Sequence, residues 1–296
     1  MARIVVTGAA GFIGRALCRA LAERGHDVLG LTRGPAPAIP GAALRPIGTI
    51  GPHSAWRPHL RGAELVVHLA TRAHQAAPME NGNEAAAARA LACAAAASGV
   101  RRLVHMSSLR AMGEETQRGA PFRADDPSCP SDPYGRAKLA IERALATAAE
   151  TGLELVILRP PLVYGPAVKG NLRALLRLVA AGLPLPFAAV DNHRSLVFLD
   201  NLVDLAIRLC LEPGAVGRIW LVRDVDLSTP DLVRALAVGL GRRPLLFPLP
   251  EAVFAAARRL PWVGPLAVRL TASLAADDRA TRAALGWTPP FPPAAG

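Results

Sequence analysis

Five short apolar runs separated by longer, alanine-rich segments are the strongest constraint on the fold of this chain. The runs are RIVVTG from residue 3, DVLGLTR from 27, ELVVHLA from 64, RLVHMSS from 102 and ELVILRP from 154. Continuous apolar runs of this length are typical of parallel strands that are covered on both faces, and the segments between them have the composition of helices. The alternation predicts a doubly wound α/β fold with ligands at the carboxyl ends of its parallel strands.

A glycine-rich loop, TGAAGFIG, directly follows the first predicted strand and leads into the helical segment RALCRALAERG. Glycine at positions 8, 11 and 14 would allow a tight turn, a close approach of the backbone to a pyrophosphate, and close packing of the helix on the strand. The N-terminus of the helix would favour the negative charge. This junction predicts a Rossmann dinucleotide-binding domain.

The end of the second predicted strand bears on the identity of the dinucleotide. A fold that prefers NAD often has Asp or Glu there to bind the ribose 2′-hydroxyl, whereas this chain has Thr32 and Arg33. The guanidinium of Arg33 could pair with a 2′-phosphate, which favours NADP, or it could lie in solvent or on the adenine ring. The cofactor is therefore expected to be NAD or NADP.

Proline and glycine interrupt the pattern after residue 160, as in RPPLVYGP, GLPLPF and RRPLLFPLPE. The run RIWLVRD from residue 218 again has the composition of a strand. The change predicts a smaller C-terminal substrate-binding lobe built from late segments. We expect the dinucleotide-binding domain to comprise residues 1–160 and also 190–224, and the substrate-binding lobe to comprise residues 161–189 and 225–296.

The segment SDPYGRAKLAIERA places Tyr134, one of the two tyrosines of the chain, four residues before Lys138, one of its two lysines. On a helix these side chains lie on one face, one turn apart. A phenol titrates at about 10 in water, and a neighbouring ammonium and the positive nicotinamide ring would both favour its ionised form, which would let Tyr134 exchange a proton with a substrate hydroxyl or carbonyl. Ser107 and Ser108 end the fourth apolar run, where a hydroxyl could bind the same substrate oxygen. An exposed pair without a chemical role is the alternative interpretation of Tyr134 and Lys138 alone.

Several motifs together resemble the extended short-chain dehydrogenase/reductases, the NAD-dependent epimerase/dehydratase family, over almost the whole chain: TGAAGFIG, VVHLATRAH, MSSLRAMGEE, DPYGRAK, LRPPLVYGP and DNHRSLVFLDNLVDLA. Within that family the sequence is most similar to bacterial UDP-sugar 4-epimerases and to reductases of UDP-4-keto-6-deoxy-sugars that serve polysaccharide biosynthesis. The resemblance implies a catalytic role for Ser108, Tyr134 and Lys138. With the residue pattern, it implies cofactor contacts by Gly8, Gly11, Phe12, Ile13, Gly14, Arg33, Leu69, Ala70, Tyr134 and Lys138, and substrate contacts by Ser108, Asn171 and Arg194.

The activity expected from this resemblance is NAD(P)-dependent epimerisation of a UDP-hexose or UDP-N-acetylhexosamine by hydride transfer at C4, with NAD held tightly. An NAD(P)H-dependent reductase of a UDP-4-keto-6-deoxy-sugar is the main alternative, and Arg33 favours it. A 4,6-dehydratase is disfavoured because such relatives carry Asp-Glu immediately after the catalytic residue, where this chain has Leu109 and Arg110. A reductase of a nonnucleotide ketone and a nonenzymatic dinucleotide sensor also stay open.

Charge and cysteine content limit the partners. An excess of 34 basic over 23 acidic residues gives a net charge of +11, which suits an anionic substrate. The arginines are dispersed and the sequence has no nucleic-acid-binding motif, so no nucleic-acid partner is expected. The four cysteines lack metal-ligand spacing, so no metal site is expected.

Neither a membrane span nor a signal peptide is expected from the sequence. The longest alanine-rich run, which starts at Glu84, is interrupted by Arg89 and is too short to cross a bilayer. We therefore expect a cytoplasmic enzyme. The small side chains of the helices after Glu84 and after Tyr134 would suit either a homodimer interface or close packing within one chain.

Overall fold

Ten strands are present in the part of the chain that the structure, a computed structural model, describes: residues 1–70, 83–150 and 152–293. They are β1 (Arg3–Thr7), β2 (Asp27–Thr32), β3 (Ala42–Pro46), β4 (Leu65–His68), β5 (Arg102–Met106), β6 (Glu154–Arg159), β7 (Leu162–Tyr164), β8 (Arg194–Phe198), β9 (Ile219–Leu221) and β10 (Val225–Leu227). Seven of them form a parallel sheet in the order β3-β2-β1-β4-β5-β6-β9. Each of the five apolar runs is a strand of this sheet.

Helices cover both faces of the seven-stranded sheet. The helices of the described residues are α1 (Phe12–Glu23), α2 (Arg57–Leu60), α3 (Asn83–Ala97), α4 (Pro133–Ala149), α5 (Gly170–Ala180), α6 (Leu199–Leu211), α7 (Thr229–Gly239), α8 (Glu251–Arg258), α9 (Gly264–Thr271) and α10 (Arg279–Leu285). Apolar side chains of α1 and α6 pack on one face of the sheet, and those of α3 and α4 pack on the other. The predicted doubly wound α/β fold is therefore confirmed. Burial on both faces explains why the strands have continuous apolar sequences.

The remaining strands form a separate sheet in the order β10-β8-β7. β7 runs parallel to β8, and β10 runs antiparallel to it. Buried side chains of α5 and α7, among them Leu172 and Val233, pack with Leu196 of this sheet to form a second core. A small sheet with its own core gives the later part of the chain a scaffold distinct from the large sheet.

The domain division stays a prediction. Within the range 190–224, α6 and β9 pack on or join the large sheet, whereas β8 pairs with β7 and β10 in the small one. In the range 225–296, α7 packs in the small core, but Leu285 and Trp287 pack with the core of the large sheet. Residues 294–296 of the predicted lobe lie outside the described residues.

Two cavities lie at the carboxyl ends of the strands of the large sheet. The chain leaves β1 toward β2 and β3 and then returns to the other side of β1 with β4, so the carboxyl ends of β1 and β4 flank a topological switch point. A small apolar cluster that includes Leu109, Met112 and Leu274 joins this edge to the later segments. The glycine-rich loop thus lies at the switch point, and the small sheet stands beside it.

The cysteines are free thiols, two of them buried (Cys18 and Cys210) and two exposed (Cys93 and Cys129). Burial raises the pKa of Cys18 and of Cys210 to about 12, so both stay protonated at neutral pH. The described ranges contain no group of three or more His, Cys, Asp or Glu side chains placed to bind a metal ion. Nor does any helix in those ranges combine the length and apolar composition that a membrane span needs.

Candidate active site

The glycine-rich loop forms a tight cradle between β1 and α1. Gly8 has a φ of +73°, in the left-handed region that favours glycine, and a Cβ there would lie 2.9 Å from the Ala70 backbone nitrogen. A Cβ at Gly14 would lie 2.2 Å from the Gly8 carbonyl oxygen. Gly11 closes the turn by donating its N–H to the Gly8 carbonyl at 2.9 Å and precedes the first residue of α1. Only glycine fits at positions 8 and 14 without a backbone shift.

A cavity of about 420 Å³ opens beside this cradle. Five of the predicted cofactor contacts line it: Gly8, Gly11, Arg33, Leu69 and Ala70. Gly48 and Thr49 line the same cavity near Arg33, and Glu84 lines it from α3. A glycine cradle that excludes Cβ atoms, set at a helix N-terminus beside a cavity, fits the pyrophosphate of a dinucleotide.

Three other loop residues lie outside that cavity. Phe12 and Ile13 pack against the core of the large sheet, and Phe12 also lines a neighbouring cavity beside α6. Gly14 is buried against the loop backbone. Residues 71–74, which complete the motif VVHLATRAH, lie outside the described residues.

Tyr134 and Lys138 lie one turn apart on α4. Several contacts fix the N-terminus of this helix and so the position of both side chains. The Asp132 carboxylate accepts hydrogen bonds from the backbone N–H groups of Tyr134 at 2.9 Å and Gly135 at 3.2 Å, and so caps the helix. Arg110 pairs with the same carboxylate at 2.9 Å. A Cβ at Gly135 would lie 2.3 Å from the Arg110 carbonyl oxygen. This close contact locks the start of α4 onto the turn that follows β5.

Ser108 starts that turn and faces Tyr134. Its hydroxyl oxygen accepts a hydrogen bond from the Arg110 N–H at 3.3 Å, and its side chain also hydrogen-bonds the Tyr134 phenol. The Arg110 guanidinium lies 5.7 Å and the Lys138 ammonium 5.9 Å from the centre of the Tyr134 ring. The structure thus brings the three predicted catalytic side chains, Ser108, Tyr134 and Lys138, together.

Burial dominates the electrostatics of Tyr134 in this structure. Burial raises the pKa of Tyr134 above its ordinary value, and the hydrogen bond with Ser108 and the charge of Arg110 only partly oppose this. Asp132 and Glu84 raise it further. Burial therefore outweighs the cations and holds the phenol protonated at neutral pH. The nearby cation that lowers the pKa is Arg110, a residue the sequence interpretation did not assign to the site.

A backbone carbonyl at the end of β5 fixes the position of the Lys138 ammonium. Lys138 is buried, and its ammonium donates a hydrogen bond to the Met106 carbonyl oxygen at the end of β5, at 3.0 Å. Burial lowers the pKa of Lys138 to about 8, while the charges of Glu84 and Glu142 raise it. The two carboxylates thus keep the ammonium protonated at neutral pH in spite of its burial.

A buried ion pair supports the helix face that carries Lys138. The Glu142 carboxylate, one turn after Lys138, accepts hydrogen bonds from the Arg159 Nε at 3.0 Å and from a terminal nitrogen of the same guanidinium at 2.5 Å. The Ser107 hydroxyl donates to the same carboxylate. Sequence reasoning missed this network. The signal that could have revealed it is the position of Glu142 and Arg159 inside the otherwise apolar segments KLAIE and ELVILR.

Two neutral histidines, His68 on β4 and His105 on β5, are buried near Lys138. The rings of His68 and His105 stack with centres 5.3 Å apart, and His68 Nδ1 lies 2.8 Å from the Thr7 hydroxyl oxygen. Burial, followed by the charge of Lys138, lowers the pKa of His68 to about 3 and that of His105 well below its ordinary value. Both rings are therefore uncharged at physiological pH, and they add no positive charge to that of Lys138.

A second cavity, of about 290 Å³, lies between the catalytic edge and the small sheet. The predicted residues Ser108, Tyr134, Asn171 and Arg194 all line it. Three further cations that the sequence interpretation did not assign also line it: Arg110, Lys169 and Arg269. Lys169 borders both this cavity and the dinucleotide cavity. The second cavity therefore combines two hydroxyl groups at one side with a group of cations.

Arg194 shows the electrostatic character of this cavity. Burial, followed by the charges of Arg110 and Arg269, lowers the pKa of Arg194 to about 10. One of its terminal nitrogens donates to the Ala272 carbonyl oxygen at 3.0 Å, which fixes the guanidinium in the wall. Several mutually repelling, partly buried cations make a site that an anionic ligand would stabilise.

Comparison with known proteins agrees with these features. Residues 4–222 match the family described as the NAD dependent epimerase/dehydratase family. The chain is 36% identical to the UDP-glucose 4-epimerase of Vibrio cholerae over 97% of its own length and 90% of that protein. It is 33% identical to a 3-diazoavenalumate denitrifying reductase of a Streptomyces species, over 98% of this chain and 97% of that one. The structure of MoeE5 in complex with UDP-glucose and NAD shares the fold, with a TM-score of 0.80 and 24% identity over 99% of this chain and 95% of the other.

Proposed function

Because this chain belongs to the NAD-dependent epimerase/dehydratase family, we propose that it is a nucleotide-sugar 4-epimerase acting on a UDP-hexose or UDP-N-acetylhexosamine. The observation that carries the proposal is a single cavity in which the hydroxyls of Ser108 and Tyr134 face a group of cations that includes Lys169 and Arg194. The hydroxyls suit proton exchange with a sugar, and the cations suit a diphosphate. The Vibrio cholerae UDP-glucose 4-epimerase, a relative over nearly the whole chain, supports the same assignment.

The cradle of Gly8, Gly11 and Gly14 would hold the pyrophosphate of the dinucleotide, and Arg33 would lie toward its adenosine end. A bound nicotinamide supplies hydride acceptance and hydride return at C4 of the sugar. The protein's own residues then have to manage one proton and the orientation of the substrate.

Tyr134 would take the proton of the sugar 4-hydroxyl during oxidation and return it during reduction. Its raised pKa keeps the phenol protonated, and only the phenolate can take up that proton, so the proposed role requires additional positive charge near the phenol when the site is loaded. Ser108, which hydrogen-bonds the phenol, would hold the same sugar oxygen. Lys138, fixed to the Met106 carbonyl, would maintain positive charge beneath Tyr134.

Arg194, Lys169 and Arg269 would bind the diphosphate of the nucleotide sugar, with Asn171 beside them. The charge of the diphosphate would relieve the repulsion among the guanidinium groups that lowers the pKa of Arg194. A substrate anchored mainly through its diphosphate could present either face of its sugar ring to the nicotinamide, which is what an epimerase needs.

A reductase of a UDP-4-keto-6-deoxy-sugar is the second candidate, and Arg33 favours it. This guanidinium lines the dinucleotide cavity at the end of β2, where it could pair with the 2′-phosphate of NADPH. The Streptomyces relative, a reductase, shows that reduction occurs among sequences similar over the whole chain.

We also propose a cytoplasmic location for this protein. A homodimer through α3 and α4 is a further proposal, and size-exclusion chromatography can test it.

One experiment separates these functions. The purified protein is analysed for retained dinucleotide and incubated with UDP-glucose, UDP-N-acetylglucosamine or a UDP-4-keto-6-deoxy-sugar, each with and without NADPH. Inversion at C4 without net consumption of NADPH selects the epimerase, and consumption with the keto sugar alone selects the reductase. Tight dinucleotide binding without turnover of any substrate would overturn both.

A further inference from the structure

The exposed apolar side chains in the described part of this protein are concentrated in one stretch of the chain. Fourteen large apolar side chains are exposed in the described part of the chain, and nine of them lie between residues 238 and 266. They are Val238, Leu240, Leu245, Phe247, Val253, Leu260, Trp262, Val263 and Leu266. α8, within this range, has no buried residue at all. We call residues 238–266 the apolar surface segment.

A structured turn presents the centre of this segment. Trp262 is 94% exposed and lies between two prolines, Pro261 and Pro265. The Gly264 N–H donates to the Leu260 carbonyl at 2.7 Å, and a Cβ at Gly264 would lie 2.4 Å from the Arg258 carbonyl oxygen. The turn therefore packs tightly on the end of α8 while its tryptophan points away from the protein. A large indole in that position gains little from folding and is available for contact with a surface outside this chain.

The same segment is strongly basic. It contains Arg242, Arg243, Arg258 and Arg259, all exposed, and one acidic residue, Glu251. Among the salt bridges of the described residues, the segment contributes only that of Arg258 with Glu115, at 3.9 Å. Its charge is therefore directed mainly to solvent. An apolar surface interleaved with arginine has the chemistry of a surface that binds at the headgroup level of a bilayer.

We propose that the apolar surface segment docks the protein on an anionic lipid surface. Trp262, Leu260 and Leu266 would enter the boundary between headgroups and acyl chains, and the arginines would pair with lipid phosphates. This is peripheral binding and needs no membrane-spanning helix. It is independent of the proposed reaction, since none of the four main cavities is lined by a residue of the segment.

Charge complementarity decides against a second copy of this chain as the occupant. In a two-fold symmetric contact the segment would face itself, so four arginines would meet four others with one glutamate on each side. Such a contact is repulsive, whereas an anionic bilayer is attractive. A bilayer also adapts to apolar side chains that project from separate turns. α9 continues from the segment into the wall of the substrate cavity at Val268 and Arg269, so docking would bring that cavity close to the membrane.

The test is co-sedimentation of the full-length protein with vesicles. Vesicles of phosphatidylglycerol and phosphatidylethanolamine are expected to retain at least about tenfold more protein than vesicles of phosphatidylcholine. Tryptophan fluorescence gives a second readout, because Trp56, Trp220 and Trp287 are buried and Trp262 is exposed. A blue shift on binding, absent in Trp262→Phe excited under the same conditions, would report insertion of this side chain.

Matched variants make the test specific. Trp262→Ser with Leu266→Ser, and separately Arg242→Ser with Arg243→Ser, should each lower vesicle binding by about fivefold or more. Leu211→Ser and the pair Arg57→Ser with Arg61→Ser remove the same kinds of exposed side chain elsewhere and should leave it unchanged. Dinucleotide binding in solution should be normal in all variants, which excludes unfolding.

Three outcomes would overturn the proposal. The first is no binding to anionic vesicles above that to phosphatidylcholine. The second is equal loss of binding in the segment variants and in the matched controls. The third is a dimer in solution that dissociates on Trp262→Ser, or a defined acidic protein that competes the vesicles away from the segment, since either would assign the surface to a protein partner.

Discussion

The dinucleotide cavity and the substrate cavity are built in different ways. The first depends on backbone at its phosphate end: a cradle in which Gly8 and Gly14 leave no room for a Cβ, at the start of a helix and at the switch point of the sheet. The second is formed by side chains, with Arg110, Lys169 and Arg194 arriving from three distant segments. A site made from backbone depends on a few contiguous residues and one fold, whereas a site made from side chains can change its ligand with single substitutions. Ser108 and Tyr134 line the substrate cavity, and Lys169 borders both cavities.

The largest effect is expected at Tyr134 in the substrate cavity. Tyr134→Phe removes the hydroxyl that hydrogen-bonds Ser108 and leaves the ring between Arg110 and Lys138. Loss of a general acid-base group should lower kcat by about 10²- to 10⁴-fold, while dinucleotide affinity stays within about twofold because the ring packing is kept. Turnover of a UDP-sugar and a binding titration with NAD measure the two quantities. Tyr164→Phe, a change at the other tyrosine of the chain, is the control, and an unchanged rate for Tyr134→Phe would refute the role of its hydroxyl.

The next effect tests the backbone side of the comparison. In Gly14→Ala the new Cβ would meet the Gly8 carbonyl oxygen at 2.2 Å, so the loop has to move. The strain should weaken dinucleotide binding by about ten- to hundredfold and lower Tm, with the binding loss as the specific sign. Gly214→Ala, where a Cβ would meet nothing within 4 Å, should change neither. Normal NAD affinity in Gly14→Ala would show that the cradle is not the pyrophosphate site.

The side-chain cavity should respond in KM. Arg194→Ala removes one of the cations proposed to bind the diphosphate, and the loss of a charged hydrogen bond should raise KM for the UDP-sugar by about tenfold with little change in kcat. Arg194→Lys should recover part of the affinity, because the charge remains and the fork is lost. If the substrate has no diphosphate, KM will be almost unchanged, and the nonnucleotide ketone reductases gain support.

The contrast between the two cavities also explains what the sequence could predict. The five apolar runs, the glycine-rich loop and the Tyr134–Lys138 spacing are local patterns, and the predicted fold is confirmed. β3 was not predicted, because AALRP is short, largely exposed and lacks β-branched residues. It pairs only with β2 at the edge of the sheet, so it needs no apolar run.

Arg110, Lys169 and Arg269 escaped the sequence interpretation for another reason. They converge only after folding, and in a chain with 32 arginines a single arginine carries no positional signal. Lys169 did carry one, since it is one of two lysines. The buried pair of Glu142 and Arg159 carried one too, because a charged residue inside an apolar strand or helix face requires a partner. Two signals in the sequence were therefore usable: the scarcity of lysine, which pointed to Lys169 in the substrate cavity, and charged residues inside apolar segments, which pointed to the ion pair of Glu142 and Arg159.

The Glu142 carboxylate, one turn after Lys138 on α4, gives a smaller effect, on the pH dependence of kcat. The pKa of Lys138 is about 8, and the charge of Glu142 raises it. If activity requires the ammonium, kcat falls as the pH rises through that value. Glu142→Gln removes the negative charge, so the pKa of Lys138 drops and the alkaline limb of the kcat profile moves to lower pH, by up to about one unit. Tm will fall as well, because Arg159 loses its buried partner.

The position of the limb, rather than the amplitude of kcat, separates the charge effect from simple destabilisation. Glu154→Gln is the matched control: Glu154 pairs with Arg101 and Arg102 at the opposite end of β5 and β6, away from Lys138. Its limb should stay where it is in the unmodified protein. A limb that moves to higher pH in Glu142→Gln contradicts the sign of the interaction.

The smallest effect concerns Arg33, a charged side chain of the dinucleotide cavity. Arg33 is exposed at the end of β2, so an ion pair between it and a 2′-phosphate is screened by solvent. Arg33→Ser should therefore lower the preference for NADPH over NADH by only about fivefold, measured as the ratio of the two dissociation constants, whereas Arg57→Ser leaves the ratio unchanged. Equal weakening of both dinucleotides would instead place Arg33 on the adenine ring, which both share. That result would remove the residue-level argument for the reductase and leave the choice of reaction to the side-chain cavity alone.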